Sequence, residues 1–244
     1  MKKDYLKGKT AVVTGATGGI GSCICRKLAE YGMNLVIVGR NETKLKETSV
    51  AVETYGGCAL EMPGDITESA FLDSILTEAK ARFERIDVIV NCAGMAQRDR
   101  FEDVSEEKYD TIMDINVRAP YFLCQKSLPY LRESDCATII NIASVVAHKG
   151  YPLQSVYAAS KHALLGWSKS LANEVFDEDI RVHVITPGGV YTDMVALSRP
   201  DLSSEGMPVP EDVADMVGFL LEMRKTNAVI DEMTFHRKNK EPFA

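Results

Sequence analysis

Tyr157 and Lys161 stand four residues apart in a stretch with helical periodicity. That spacing puts both side chains on one helix face, with β-carbons about 5–6 Å apart. A phenol with a pKa near about 10 is a poor base at neutral pH, but a fixed ammonium beside it is expected to lower that value by ~1–3 units. Such a pair can exchange a proton near neutrality. Ser144 ends the predicted strand that precedes this helix. A Tyr-x-x-x-Lys spacing alone occurs often by chance, so its weight depends on its company.

A second cluster is the bend Thr14-Gly15-Ala16-Thr17-Gly18-Gly19-Ile20-Gly21, between a predicted strand and an amphipathic helix. Missing β-carbons let backbone amides and the helix amino terminus approach a pyrophosphate, and the helix dipole favours the negative charge. The strand–turn–helix context favours dinucleotide binding over a plain tight turn, and no Gly-Lys-Ser/Thr follows these glycines, which excludes a Walker-type phosphate loop. Arg40 closes the second predicted strand, where dinucleotide enzymes often place a carboxylate against the adenosine ribose 2′-hydroxyl. A guanidinium suits a 2′-phosphate instead, so the local chemistry favours NADP(H) over NAD(H); the alternative is a solvent-facing arginine at a helix start. Asp65, after the third strand, either faces an adenine amino group or caps a helix beginning near Thr67.

These residues need elements to hold them. Apolar runs rich in Val and Ile recur at 10–14, 34–38, 58–62, 86–91, 137–143, 181–186 and 228–235. Between them lie helical stripes such as Ile20, Ile24 and Leu28, or Leu164, Leu171 and Val175. The alternation predicts an α/β fold: a doubly wound, mainly parallel seven-stranded sheet of Rossmann type in a three-layer α/β/α arrangement. The candidate residues fall at the carboxyl ends of six predicted strands, the edge where open parallel sheets bind ligands, so one shared site is expected. We read residues 1–244 as a single dinucleotide-binding domain with an integrated catalytic site, and 193–209, with Pro200, Gly206 and Pro208, as a substrate loop or lid. The tail from His236, with Arg237, Lys238 and Lys240, reads as a solvated end.

Composition narrows the function classes. Twenty-eight basic against thirty-five acidic residues give a net charge of −7 over 244 residues, so no overall basic field exists to collect nucleic acid or anionic lipid. No apolar run approaches the ~20 residues of a membrane span, and the amino terminus lacks the apolar stretch of a secretion signal. The six cysteines, at 23, 25, 58, 92, 124 and 136, contain no Cys-x-x-Cys pair. They read as reduced thiols of a cytoplasmic protein rather than as a disulfide framework or metal site.

Together these residues resemble the short-chain dehydrogenase/reductase family in its compact form. The resemblance runs from about Thr10 to Val229. It rests on the T-G-x-x-x-G-x-G turn at 14–21, the N-x-A-G stretch at Asn91 to Gly94, Asn116, Ser144 thirteen residues before the tyrosine of Y-x-x-x-K, and P-G-x-x-x-T at Pro187 to Thr192. Gly18 also satisfies the glycine spacing of extended relatives that act on nucleotide sugars, but the length leaves no room for their substrate domain.

The resemblance implies hydride transfer between a nicotinamide and a carbonyl or alcohol carbon. Tyr157 would exchange the oxygen-bound proton, Ser144 would hydrogen-bond the reacting oxygen, Lys161 would hold the nicotinamide ribose and acidify the phenol, and Asn116 would support a proton-relay water. Cofactor binding would fall to Gly15, Thr17, Gly18, Gly19, Ile20, Gly21, Arg40, Asp65, Ile66, Asn91, Ala93 and Gly94, together with Tyr157 and Lys161, and with Pro187, Gly188, Val190 and Thr192 at the nicotinamide end. The Gly39-Arg40 pair resembles NADP-preferring members. Homodimers or homotetramers are expected through helices near 105–131 and 157–176.

The chain departs from the family pattern in three places. Cys92 replaces a usual asparagine, the carboxyl terminus lacks a common glycine-rich ending, and the 192–208 segment is short for a lid, which suggests an open pocket. Substrate candidates are Ser144, Val146, His148, Tyr151, Gln154, Gly189 and Met194, a set compatible with 3-oxoacyl thioesters, sugars, steroids or small ketones. No specific role is assigned to His148. The competing readings are a catalytically silent nucleotide-sensing or partner-binding module and a methyltransferase on a similar sheet. No metal is expected.

Overall fold

In a computed structural model that describes residues 4–192, 195–196 and 203–240, seven parallel strands form one sheet. They are β1 (Thr10–Thr14), β2 (Asn34–Gly39), β3 (Cys58–Pro63), β4 (Val88–Asn91), β5 (Thr138–Ile142), β6 (Arg181–Pro187) and β7 (Glu232–Phe235). Their order is β3-β2-β1-β4-β5-β6-β7, with every neighbouring pair parallel. The order reverses between β1 and β4, which opens a crevice beyond their carboxyl ends.

Side-chain alternation along the strands builds two cores. Ala11, Val13, Leu35 and Ile37 face one side, against Ile24 and Leu28 of α1 (Gly19–Ala29), Leu45 and Val52 of α2 (Glu42–Thr54), and Val213, Val217 and Leu221 of α7 (Pro210–Glu222). Val12, Val36, Val38 and Ile139 face the other, against Leu72, Ile75 and Leu76 of α3 (Ser69–Phe83) and Leu123 and Leu131 of α5 (Ala119–Leu131). The long helix α6 (Ser155–Glu174) covers the same face through Leu164 and Leu165, which pack on Val184.

All seven predicted strands are present; three start later than expected, β5 by one residue and β4 and β7 by more. Ile86 and Asp87 precede β4, where the Asp87 carboxylate accepts the Thr10 N–H (2.8 Å) and pairs with Arg85. Residues 228–231 lie outside β7, and the Ile230 carbonyl bonds the His183 ring instead. Among the described residues no helix is long and apolar enough to cross a membrane.

Between α4 (Glu106–Met113) and α5 the helix widens into a π turn at Asp114–Arg118. An α-helical bond to the Asn116 carbonyl would have to come from residue 120, and Pro120 has no N–H to donate. The bulge places Asn116, fully buried, at the crevice.

Candidate active site

The glycine turn is shaped by what cannot fit. Gly15 has φ +69°, and a β-carbon there would lie 2.7 Å from the Ala93 backbone; one on Gly21 would lie 2.2 Å from the Gly15 carbonyl oxygen. The Thr14 hydroxyl accepts the N–H groups of Cys92 (3.2 Å) and Ala93 (3.3 Å), clamping the end of β1 to the end of β4. This clamp holds the N-x-A-G turn although Cys92 has replaced the usual asparagine. Helix α1 starts at Gly18 without a side-chain cap, so its first-turn amides face the crevice with no intrahelical partner. Beside Gly18 a β-carbon would meet only the Gly15 oxygen, at 3.4 Å.

Thr17 packs against Gly39, which brings the turn next to the end of β2. Arg40 follows there, exposed, immediately before Asn41, whose side chain caps α2 by accepting the Lys44 N–H (2.9 Å). The Asp65 carboxylate accepts both the backbone N–H and the hydroxyl of Thr67 at 2.9 Å. It therefore closes the turn ahead of α3 rather than capping the helix, which starts only at Ser69. The Thr67 amide holds that carboxyl below the usual range, with the Arg40 charge acting in the same direction. Asn91 is buried and donates to Asn141 (2.8 Å) and to the Cys124 sulfur (3.2 Å), while its own Oδ1 has no partner. With Thr14, Ile66 and Ala93 it lines a small crevice beneath the turn.

On α6, Tyr157 and Lys161 share one face, with Lys161 Nζ 5.8 Å from the centre of the phenol ring. Tyr157 and Ser144 line one cavity, and the Ser144 hydroxyl acts on the phenol to lower its pKa. Lys161 donates to the Ile142 carbonyl (2.9 Å) at the end of β5. Asn116 accepts the Met95 N–H (2.8 Å) and donates to the Met95 carbonyl (2.9 Å) and to Ser160 Oγ (3.0 Å), which itself bonds the Tyr157 carbonyl. A β-carbon on Gly94 would touch both Asn116 Oδ1 and Lys161 Nζ, at 3.4 and 3.6 Å.

The electrostatics correct one expectation. Burial pushes the Tyr157 phenol up from its ordinary value rather than down, with the Ser144 hydroxyl acting in the opposite direction. Burial instead pushes Lys161 down to about 8. The ammonium is engaged with a carbonyl below the ring, and desolvation of the phenol dominates.

These groups open onto a cavity of about 560 Å³. Of the sequence-selected residues it is lined by Ile20, Gly94, Ser144, Val146, Tyr151, Gln154, Tyr157, Lys161, Pro187, Gly188, Gly189, Val190 and Thr192. His148 is not among the lining residues: its ring is paired with Glu232 of β7. Met194 and most of the first half of the expected 193–209 lid lie outside the described residues; Val195 lines the cavity, and the Tyr191 N–H is held by the Pro208 carbonyl (2.8 Å).

Two features escaped the sequence reading. Gln97, buried in the loop after β4, accepts the N–H groups of Val156 (2.8 Å) and Tyr157 (3.2 Å) and so caps α6 from a distance. The carboxyl-terminal tail is more than a solvated end: His236, Lys238 and Asn239 are exposed, but Arg237 and Lys240 are half-buried, and His236, Arg237, Asn239 and Lys240 line the cavity. The run of basic residues was the available signal for the tail; nothing local marked Gln97.

All six cysteines are free. Burial pushes the thiols of Cys92 and Cys124 up to about 12 and those of Cys23 and Cys136 up to about 11, which leaves them protonated and inert.

The family model described as short chain dehydrogenase matches residues 9–203. The chain belongs to the short-chain dehydrogenase family. It is 33% identical to an uncharacterized oxidoreductase of Staphylococcus epidermidis, over 94% of this chain and 97% of the relative. It is 32% identical to a 3-oxoacyl-[acyl-carrier-protein] reductase of Rickettsia bellii, over 95% of each. The crystal structure of a dehydrogenase/reductase from Sinorhizobium meliloti superposes with a TM-score of 0.88 at 28% identity, over 97% of both chains. As a short-chain dehydrogenase the protein is an oxidoreductase that uses a nicotinamide cofactor and acts on a small molecule.

Proposed function

We propose that this short-chain dehydrogenase is an NADP(H)-dependent carbonyl reductase or alcohol dehydrogenase in which Tyr157 is the proton-transferring group. One observation carries the reading: Tyr157, Ser144 and Lys161 line the same cavity as Ile20 of the glycine turn and Gly94. The cradle fits a dinucleotide, since β-carbons at Gly15 and Gly21 would destroy it while the amides of α1 stay uncapped. Gly15 to Gly21, Asp65, Ile66, Asn91, Ala93 and Gly94 would hold the adenosine and phosphate side, and Pro187, Gly188, Val190 and Thr192 the nicotinamide end. Bound there, the nicotinamide supplies or takes the hydride.

The protein's own residues do the rest. Ser144 donates to the reacting oxygen and stabilises the charge that grows on it. Tyr157 gives its hydroxyl proton to that oxygen. A protonated phenol can serve as this donor, and in the reverse reaction the phenolate accepts the proton. Lys161, its pKa lowered to about 8, returns the proton to Tyr157 and would hold the cofactor ribose, and Asn116 on its π turn fixes the Met95 loop and Ser160 around them. Arg40, exposed beside the turn, would hold a 2′-phosphate through a charge-assisted pair. The name of the Rickettsia relative makes a 3-oxoacyl thioester one candidate among ketones, sugars and steroids.

The test is a steady-state screen of ketones and alcohols at the NADPH absorbance band with both cofactors. Turnover with NADPH favoured over NADH is expected. Tight NADPH binding without turnover of any carbonyl would leave a silent nucleotide-binding module instead.

A further inference from the structure

The tail after β7 carries Arg237 and Lys240 into the cavity that holds Tyr157. It is tied in place. The Gly188 N–H donates to the Phe235 carbonyl (2.8 Å), the Lys238 N–H to the Gly206 carbonyl (3.2 Å) and the Lys240 N–H to the Arg237 carbonyl (3.1 Å), while Asn239 Nδ2 reaches the Glu205 carbonyl (3.2 Å). Arg237 lies over the Gly189 backbone, where a β-carbon would come within 3.3 Å of its Nη2. The guanidinium therefore has a seat on the loop at the nicotinamide end.

The charge of this place runs against the whole chain. The protein carries −7, yet no Asp or Glu is among the described residues lining the cavity, and Lys161, Arg237 and Lys240 are cationic. Elsewhere Arg26, Lys27, Arg85, Arg132 and Arg224 pair with carboxylates. Among the described residues none pairs with Arg237 or Lys240, although both are only partly exposed. Half-covered cations in a concave site draw an anion into it. Arg237 sits on the Gly189 backbone, at the start of the loop after β6, whereas the glycine turn meets that loop farther on, where Thr192 lies beside Gly19.

We propose that Arg237 and Lys240 form the substrate's anion-recognition site, so that the reacting molecule carries a carboxylate or phosphate on the same small framework as its carbonyl or alcohol. The forked donors of Arg237 match either oxyanion, and Lys240 adds a point charge. This rests on the hydride-transfer reading of the same site.

The test compares NADPH-dependent reduction of charged and neutral pairs: 3-oxobutanoate against its ethyl ester, and dihydroxyacetone phosphate against dihydroxyacetone. In the wild type the charged member of one pair should have the higher kcat/KM by about 10-fold or more, the effect of a single charge-assisted bond, and the pair that shows it tells carboxylate from phosphate. In the Arg237→Ala/Lys240→Ala variant that ratio should fall towards one, through KM, and Arg237→Lys should restore part of it. A wild-type ratio near one in both pairs, or a ratio that survives the double substitution, overturns the anion site while leaving hydride transfer standing. A loss of NADPH affinity matching the loss of charged-substrate preference also overturns it, because the cations would then hold the cofactor. If neither pair nor any other carbonyl of the screen is reduced while NADPH binds, the hydride reading fails. The anion site is then read alone by calorimetric titration of sodium 3-hydroxybutanoate and of inorganic phosphate into the NADP-loaded protein. Binding of either one that the double substitution abolishes sustains the site, and no binding of either to the wild type removes it.

Discussion

At the β1 end of the crevice, position is enforced by exclusion: Gly15 and Gly21 admit no β-carbon, and Thr14 ties two strand ends together with one hydroxyl. At the β7 end it is enforced by bonds between segments distant in the chain, such as the tail residues 235–240 against Gly188, Glu205 and Gly206. The first half suits a ligand part common to many enzymes, whose phosphates need only backbone amides and a dipole. The second half is where one enzyme can differ from another, because side chains on a tail can change without disturbing the sheet.

Breaking the first half should cost most. Gly21→Ala puts a β-carbon into the Gly15 carbonyl, so denaturant unfolding should show a loss of about 1–3 kcal/mol, the scale of core overpacking, together with weakened NADPH binding by titration. An unperturbed variant would mean that the turn does not need the close approach. Thr14→Val removes the acceptor of two amides and should lower stability by about 1–3 kcal/mol.

Gln97→Leu, which strips two amide partners from the start of α6, sharpens the comparison from the catalytic side. A similar loss of stability is expected, with a fall in kcat larger than any change in NADPH affinity, since Tyr157 sits on the first turn of that helix. Equal effects on both would show that the cap supports the fold without positioning the phenol.

Arg40→Ala should weaken NADPH by ~1–3 kcal/mol, as for a charged hydrogen bond, and barely affect NADH. Equal losses for the two cofactors would remove the 2′-phosphate assignment.

The smallest effect concerns Lys161. Its pKa is about 8 in the folded protein against an ordinary value near about 10.4. The unfolded chain therefore binds more protons in that window, and stability should rise as pH climbs from about 8 to about 10.4. The burial penalty is complete below about pH 8. Lys161→Met should flatten this part of the Tm profile; an unchanged slope would place the titration elsewhere.

The same contrast explains what the sequence could disclose. The strands were legible because Val and Ile recur in short runs, and the turn because glycine spacing reflects steric exclusion within a few residues. The π turn at Asp114–Arg118 was not anticipated, although its cause, Pro120 four residues after Asn116, is local. Gln97 was hidden because its partners lie some sixty residues on, at Val156 and Tyr157. The tail was misread because basic residues near a chain end usually face water, and only the Gly188 and Gly206 contacts turn them inward. The phenol's acidity was misjudged because spacing reports proximity to an ammonium but not the burial that outweighs it.

The proton donor itself is tested most directly by Tyr157→Phe, assayed for NADPH oxidation with the best carbonyl of the screen and, in parallel, for NADPH binding. The variant should bind NADPH as the wild type does and lose about 10²- to 10⁴-fold in kcat, the usual share of general acid catalysis. Turnover at the wild-type rate with cofactor binding intact would show that some other group delivers the proton.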